Sequence, residues 1–201
     1  MSVGTVTQTP NGVVIHKEQN TIHIDKHKGI VTKQLGRRPS SGNKVTIAPE
    51  WLEAYKVFQT INPYVVKVYE ITKANSFTME YVPNIGTVDE WLKDHSITRL
   101  ELFELTRCIM SVIPSSIEMS KVLDTLNEYG KHSMWVNTDF HVHNVVCIQD
   151  GNDPKFKIID PDSWWIWNNA NHSQSEFQPH PLDQLKRMNT MITNVVNDLR
   201  A

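Results

Sequence analysis

Three polar side chains in the last third of the chain have the types and spacing to bind a cation and to accept a proton. Asp139 and Asn144 come shortly before one apolar run, and Asp160 comes directly after the next. Carboxylate and amide oxygens suit a hard divalent cation, and a carboxylate beside a hydroxyl group can accept its proton. The alternative interpretation is that Asp139 and Asn144 only cap a turn.

The sequence around these residues predicts a β-hairpin that would bring them together. Residues 145–148 and 156–159 are largely apolar, and the turn-rich sequence QDGNDP separates them. The outer ends of a hairpin lie side by side, so the residues that flank it should be neighbours. We therefore expect the side chains of Asp139, Asn144 and Asp160 to converge.

The order of these residues resembles the catalytic core of the protein-kinase-like superfamily, in which Asp-x4-Asn, a hairpin and a second Asp follow one another. The sequence DFHVHN at 139–144 is similar to the D-x-H-x-x-N form of aminoglycoside and choline phosphotransferases and of early protein kinases of short-tailed phages. The sequence DPDSW at 160–164 matches an Asp-Pro-x-Ser-aromatic run of the phage kinases. The likeness extends over roughly residues 13 to 190.

The resemblance implies roles for residues of a catalytic loop at 137–144 and for the aspartate beyond it. Asp139 would accept or orient the proton of the attacking hydroxyl group. Asn144 and Asp160 would hold Mg²⁺ against the phosphates of ATP. His141 would brace the loop.

Other polar residues of this region have two interpretations each. His141 and His143 could be zinc ligands, but no further cluster of Cys or His follows at a useful spacing. Asp183 resembles the buried aspartate that holds the catalytic loop from a later helix, and its alternative role is to cap that helix. The aromatic group at 164–167 could be an exposed docking surface, although a place in the core is the simpler expectation.

The elements that must position these residues begin with an alternating sequence near the N-terminus. Apolar and polar residues alternate over 13–35, which predicts three antiparallel strands joined by tight turns. Lys33 lies in the third strand, where a lysine commonly occupies an exposed face. The sequence IVTK that ends at Lys33 is similar to the V-A-I-K of the family. The resemblance implies that Lys33 binds the nucleotide phosphates.

A helix is predicted over 49–61, because Pro49 suits a first helical position and apolar residues recur every three positions. Glu53, near its start, could simply interact favourably with the helix dipole. The resemblance implies instead that Glu53 steadies Lys33 through an ion pair.

A second hairpin is predicted over 65–82. Its end, the sequence MEYV at 79–82, resembles the hinge between the two lobes of the family fold. The resemblance implies that the backbone of Glu80, Tyr81 and Val82 hydrogen-bonds the adenine ring.

The expected fold class is α+β, in a reduced form of the two-lobed protein-kinase-like fold. Residues 1–82 would form a small antiparallel β N-lobe with one helix, and residues 83–201 would form a mainly helical C-lobe, with 83–86 as the link between them. Pro114 is expected to separate two of the C-lobe helices. The predicted helices of the C-lobe are 87–95, with Thr87 and Glu90 in the pattern of a capping box, 98–113, 115–129 and 181–199.

Two departures from the family pattern bear on activity. There is no Gly-x-Gly-x-x-Gly between the first two predicted strands, and Asn137 stands where His is usual. The missing glycines weaken the expected binding of nucleotide. A catalytically silent, pseudokinase-like binding module is therefore an alternative function.

Composition narrows the classes of partner. The chain of 201 residues has a net charge of −2 and no long basic run, so we expect no nucleic-acid partner. No segment approaches the ~20 apolar residues that span a membrane. Cys108 and Cys147 lie in apolar contexts and are expected to be buried, reduced thiols of a cytoplasmic protein, in the host cytoplasm if the protein is encoded by a phage. The alternative is a disulfide.

Together these features predict an ATP- and Mg²⁺-dependent phosphotransferase. The Asp-Pro-x-Ser-aromatic run and the small C-lobe favour a minimal Ser/Thr protein kinase that acts on proteins. The D-x-H-x-x-N form favours the alternative of a small-molecule phosphotransferase acting on an alcohol, but the chain lacks the large helical insert that usually walls such a substrate.

Overall fold

The computed structural model describes residues 4–17, 20–36, 45–94, 96–126, 133–137, 139–148 and 155–167, together with 186, 189–190, 193–194 and 197. The protein is of the mixed α+β class, and its strands pair in antiparallel ladders. The predicted α+β class is confirmed. Contacts divide the chain into two compact units, of which the first comprises Met1–Lys56 and Val66–Val82 and the second comprises Val57–Val65 and Pro83–Ala201.

The first unit is built on a six-stranded antiparallel sheet with the order β1-β2-β3-β4-β6-β5. Its strands are β1 (Thr5–Thr9), β2 (Gly12–His16), β3 (Asn20–Asp25), β4 (Ile30–Leu35), β5 (Val68–Lys73) and β6 (Ser76–Glu80). The three strands predicted within 13–35 are confirmed as β2 to β4, and the predicted second hairpin is confirmed as β5 and β6.

Strand β1 is an addition that the sequence did not predict. Its five residues, TVTQT, are all exposed, so no burial pattern marks them as a strand. The turn at Pro10 and Asn11 joins β1 to β2, and Gly12 is required directly after it. A Cβ atom at Gly12 would lie 1.8 Å from the carbonyl oxygen of Ile24, so only glycine allows this close approach of β2 to β3.

Helix α1 (Pro49–Ile61) has the predicted bounds. Its first part packs on the sheet of the first unit through Trp51, whose ring lies 5.6 Å from that of Phe77 in β6. The hydroxyl of Tyr55 donates a hydrogen bond of 3.2 Å to the carbonyl of Val66. Leu52, Ala54 and Tyr55 are buried, and they define the inner face of the helix.

Among the described residues, the second unit has three further continuous helices and two small sheets. Its elements are β7 (Asn84–Thr87), α2 (Val88–Asp94), α3 (Arg99–Met110), α4 (Val112–Thr125), β8 (Met134–Asn137), β9 (Val145–Ile148), β10 (Phe156–Ile158) and β11 (Trp164–Trp167). The sheets have the orders β10-β9-β7 and β11-β8. Residues 84–86, within the segment predicted as a link between lobes, belong to strand β7, which pairs with β9.

The helix ends of the second unit follow local capping chemistry. Thr87 and Glu90 form the predicted reciprocal pair, since the Thr87 amide donates to Glu90 Oε2 at 3.0 Å and the Glu90 amide donates to Thr87 Oγ1 at 3.3 Å. The break between α3 and α4 falls at Ser111, so Pro114 lies in the first turn of α4 instead of between the helices. A proline is tolerated there because an amide hydrogen in the first turn has no partner within the helix.

Three aromatic rings form the centre of the second unit. Phe58 lies 4.4 Å from Trp164 and 5.4 Å from Trp135, and the two tryptophan rings stack with an interplanar angle of 14°. Trp164 is fully buried, which confirms that it belongs to the core. Because Trp135 lies in β8 and Trp164 begins β11, this cluster anchors the two strands that flank the candidate site in the chain.

Cys108 and Cys147 are buried, as expected, and burial raises the pKa of the Cys108 thiol. Among the helices that the structure describes, none is long and apolar enough to cross a membrane.

Candidate functional site

The predicted hairpin is formed, and it places Asn144 beside the residues that lead to Asp160. Strands β9 and β10 pair with Val145 opposite Ile158. One residue further out, the amide of Ile159 donates a hydrogen bond of 2.7 Å to the carbonyl of Asn144. Asn144 and Asp160 therefore flank the outer end of one ladder, as the sequence predicted.

Asn144 closes the loop that begins at Asp139. A short 3₁₀ turn, Val142–Asn144, brings the Asn144 amide within 2.9 Å of the His141 carbonyl. The side-chain Nδ2 of Asn144 donates to the Asp139 carbonyl, also at 2.9 Å. The first bond closes the backbone turn, and the second orients the side-chain amide. Its Oδ1 has no hydrogen-bond partner among the residues that the structure describes, and it is thus available to a cation.

Asp160 occupies a strained backbone conformation. With φ of 89° and ψ of 64°, it is the one non-glycine residue with positive φ in the described part of the chain. Such a conformation costs on the order of 1–3 kcal/mol and persists only where surrounding contacts impose it. Two donors from Ser163 impose it here, because its amide at 3.2 Å and its Oγ at 2.7 Å both bond the Asp160 carbonyl. The Asp160 side chain does not cap the following turn.

The carboxylate of Asp139 faces solvent, with 67% of its side chain exposed. Among the described residues its one ion-pair partner is His141, whose Nε2 lies 3.6 Å from Oδ2. The backbone amide and carbonyl of Asp139 hydrogen-bond the side chains of Asn137 and Asn144. Its carboxylate hydrogen-bonds no backbone group of the described chain. The interpretation of Asp139 as a turn cap is therefore not supported, whereas Asn144 does use its amide nitrogen to close the turn.

His143 belongs to a second small cluster. Its Nδ1 lies 3.7 Å from Oδ2 of Asp89, which also accepts a hydrogen bond of 2.8 Å from Lys93. That hydrogen bond, together with the positive charges of Lys93 and His143, lowers the pKa of Asp89. Within the described ranges, no three His, Cys, Asp or Glu side chains are grouped so that they could hold a metal ion, so the zinc alternative gains no support.

Asn137 is a site residue that the sequence marked only as a departure from the family pattern. It is buried at the end of β8, where its Oδ1 accepts the Asp139 amide at 2.9 Å. Its Nδ2 donates to Ser163 Oγ, also at 2.9 Å. The motif DPDSW contained a signal for this arrangement, since its Ser163 is the partner that joins Asn137 to the turn of Asp160.

In the first unit, Lys33 and Glu53 do not form the predicted ion pair. Lys33 is only 6% exposed and lies opposite Phe77 in the β4–β6 ladder, so the alternative of an exposed lysine is wrong. The Glu53 side chain is 67% exposed, and its carboxylate pairs with Lys56 at 3.2 Å. The reason is helical geometry: Leu52 and Tyr55 take the buried face of α1, which turns Glu53 to the solvent side.

The predicted hinge segment already uses some of its backbone donors. The Glu80 amide donates to the Lys67 carbonyl and the Tyr81 amide donates to the Gly29 carbonyl, both at 2.9 Å. Hydrogen bonds from Glu80 and Tyr81 to a ligand would therefore come from their carbonyl groups, and nucleotide binding by the backbone of residues 80–82 stays a prediction. Asp183 lies outside the described residues.

No protein-family model matches this sequence, and no curated protein matches it either.

Proposed function

We propose that this chain is an ATP- and Mg²⁺-dependent phosphotransferase with a minimal two-lobed, kinase-like fold, acting as a Ser/Thr protein kinase. One observation carries the proposal. The loop that starts at Asp139 ends at Asn144, and Asn144 flanks the same end of the β9–β10 ladder as Asp160. A proton acceptor and two oxygen ligands are thus gathered at one end of a single hairpin.

The ligand chemistry of this group fits Mg²⁺. Mg²⁺ is commonly held in phosphotransferases by one or two carboxylates and by substrate phosphates. Asn144 offers an oxygen on a side-chain amide that is oriented by the hydrogen bond from its Nδ2 to the Asp139 carbonyl. Asp160 offers a carboxylate that the following turn does not use as a cap. Mg²⁺ bound there would neutralise negative charge on the phosphates of ATP.

The other residues divide the remaining tasks. Asp139 accepts or orients the proton of the acceptor hydroxyl group, and its exposure leaves it accessible to a serine or threonine on a protein surface. His141, 3.6 Å away, limits the orientations that the carboxylate can take. Lys33 binds the phosphates of the nucleotide. Catalysis of this kind rests on positioning and on charge stabilisation.

Binding of Mg·ATP should raise the melting temperature, because a ligand that binds only the folded state stabilises it by mass action. A ligand at one hundred times its Kd adds about 2.7 kcal/mol. Thermal shift with ATP and Mg²⁺, against ATP with a chelator, is the measurement. No shift at millimolar Mg·ATP would contradict the proposal.

Labelled ATP identifies the acceptor. The protein is incubated with γ-labelled ATP, Mg²⁺ and a cell lysate. Label in protein bands supports a protein kinase, and label in small molecules alone supports the small-molecule phosphotransferase. Absence of transfer combined with a Mg·ATP thermal shift identifies a binding module.

Substituting Lys33 tests the nucleotide contact of the first unit. We expect Lys33→Met to weaken Mg·ATP binding by about 10- to 100-fold, the usual worth of a hydrogen bond to a charged group. Glu53→Gln is the matched control and should bind Mg·ATP as the wild type does, since Glu53 pairs with Lys56 on the solvent side of α1. Isothermal titration measures both. An equal loss of Mg·ATP affinity in the two variants would indicate that Lys33 and Glu53 do form an ion pair when the nucleotide is bound.

A further inference from the structure

A continuous series of hydrogen bonds joins Asp139 to Asp160 through two buried side chains. The Asp139 amide donates to Asn137 Oδ1, Asn137 Nδ2 donates to Ser163 Oγ, and Ser163 Oγ donates to the Asp160 carbonyl. The distances are 2.9, 2.9 and 2.7 Å. Asn137 is 3% exposed, so water does not replace these bonds readily.

The direction of every bond in this series is determined. A backbone amide can only donate, so the oxygen of the Asn137 side chain faces Asp139 and its nitrogen faces Ser163. The Ser163 oxygen therefore accepts from Asn137, and its own hydrogen is directed to the Asp160 carbonyl. That carbonyl belongs to the strained, left-handed residue. Removal of the Asn137 or the Ser163 side chain would leave a buried polar group without this hydrogen-bond partner. It would also disconnect the Asp139 amide from the Asp160 carbonyl.

We infer that Asn137 and Ser163 are positioning residues that set the place of the proton acceptor Asp139 relative to the metal ligand Asp160. The inference rests on the proposed function for its catalytic consequence. Both side chains act through the backbone, because Asn137 accepts from the Asp139 amide and Ser163 donates to the Asp160 carbonyl. Strand pairing assists them, because Asn137 in β8 lies opposite Trp164 in β11, next to Ser163.

The same unit contains a matched control. Asn62 is 1% exposed, its Oδ1 accepts the amide of Tyr64 at 2.9 Å, and its Nδ2 donates to the hydroxyls of Ser111 and Ser115. Asn62 thus repeats the bonding of Asn137, with an amide two residues ahead and a serine partner far along the chain. Its serine partners belong to the α3–α4 region and not to the turn of Asp160.

The catalytic test compares Asn137→Ala, Ser163→Ala, the double variant and Asn62→Ala in kcat, KM for Mg·ATP and melting temperature. A misplacement of ~1 Å can cost on the order of 10²-fold in rate, so each single variant should lose most of its kcat. The double variant should lose little more than either single one, because coupled residues are not additive. Asn62→Ala should lower the melting temperature and keep its kcat. Wild-type kcat in Asn137→Ala, or an equal loss in Asn62→Ala, would overturn the positioning role.

Amide hydrogen exchange separates this inference from the proposed function. Ser163→Ala should speed exchange at the Asp139 amide, although the two residues are far apart in sequence, because Asn137 loses its anchor. Ser116→Ala is the control, since the Ser116 hydroxyl is buried with no hydrogen-bond partner in the described chain. If the wild type is inactive but Ser163→Ala speeds exchange at the Asp139 amide, the proposed function is wrong and the hydrogen-bonded link between Asp139 and Asp160 is supported. If Asp139 exchange is unchanged in Ser163→Ala, the link is wrong, whatever the activity.

Discussion

Asp139→Asn is expected to lower phosphoryl transfer by about 10²- to 10⁴-fold, the usual contribution of a general acid or base. Mg·ATP affinity and melting temperature should stay close to wild type. The reason is that the carboxylate is exposed and its ion-pair partner among the described side chains is His141 alone, while the loop is closed by the Asp139 backbone. A phosphorylation assay and a nucleotide titration on the same preparation measure both quantities.

Asp89→Asn is the matched control for Asp139→Asn. Asp89 is an acidic residue of the same unit that also lies beside a histidine, His143, at 3.7 Å. Its carboxylate accepts a hydrogen bond from Lys93 in α2, whereas the Asp139 carboxylate pairs only with His141 among the described ion pairs. Asp89→Asn should therefore transfer phosphate at the wild-type rate. Wild-type activity in Asp139→Asn would show that Asp139 is only a loop residue.

Asp160→Asn should act on binding of the metal–nucleotide complex, and not only on the chemical step. The substitution removes the negative charge of the carboxylate that is proposed to bind the cation. Mg·ATP binding should therefore weaken by at least about 10-fold, since changes to residues that hydrogen-bond metal ligands already cost about 10- to 100-fold. Asparagine tolerates the left-handed conformation of Asp160 better than most residues. The substitution therefore changes the charge and leaves the backbone in place.

The measurement for Asp160→Asn is ATP titration with Mg²⁺ and with a chelator. The loss should appear only with Mg²⁺, because the carboxylate is proposed to contact the cation and not the nucleotide. Asp162→Asn, which removes the same charge two residues later in the same turn, should bind Mg·ATP as the wild type does. Equal Mg·ATP affinity in Asp160→Asn and the wild type would remove Asp160 from the proposed metal site.

Local sequence patterns were sufficient for the elements whose side chains repeat regularly. The bounds of α1 followed from Pro49 and from apolar spacing, and β9 and β10 followed from two apolar runs around a turn. These elements are encoded by neighbouring residues, because helix and hairpin bonds join positions close in the chain. The placement of Asn144 beside the residue before Asp160 is part of the same local geometry.

Strands that pair with distant partners were not predictable in this way. The strand β7 pairs with β9, and β8 pairs with β11, each across a long stretch of chain. Strand β1 carries no burial pattern at all, since its side chains are exposed on both faces. Such strands depend on partners that only the folded chain brings alongside.

The sequence by itself determined the order and chemistry of Asp139, Asn144 and Asp160, because residue types and hairpin spacing are properties of the chain. Tertiary structure alone decided which other side chains lie beside these three residues and which do not. It turned Glu53 to the solvent and towards Lys56, since the buried face of α1 is set by what packs against it. It also brought Asn137 to Ser163, because a hydrogen bond between β8 and the turn before β11 depends on strand pairing that no local pattern records.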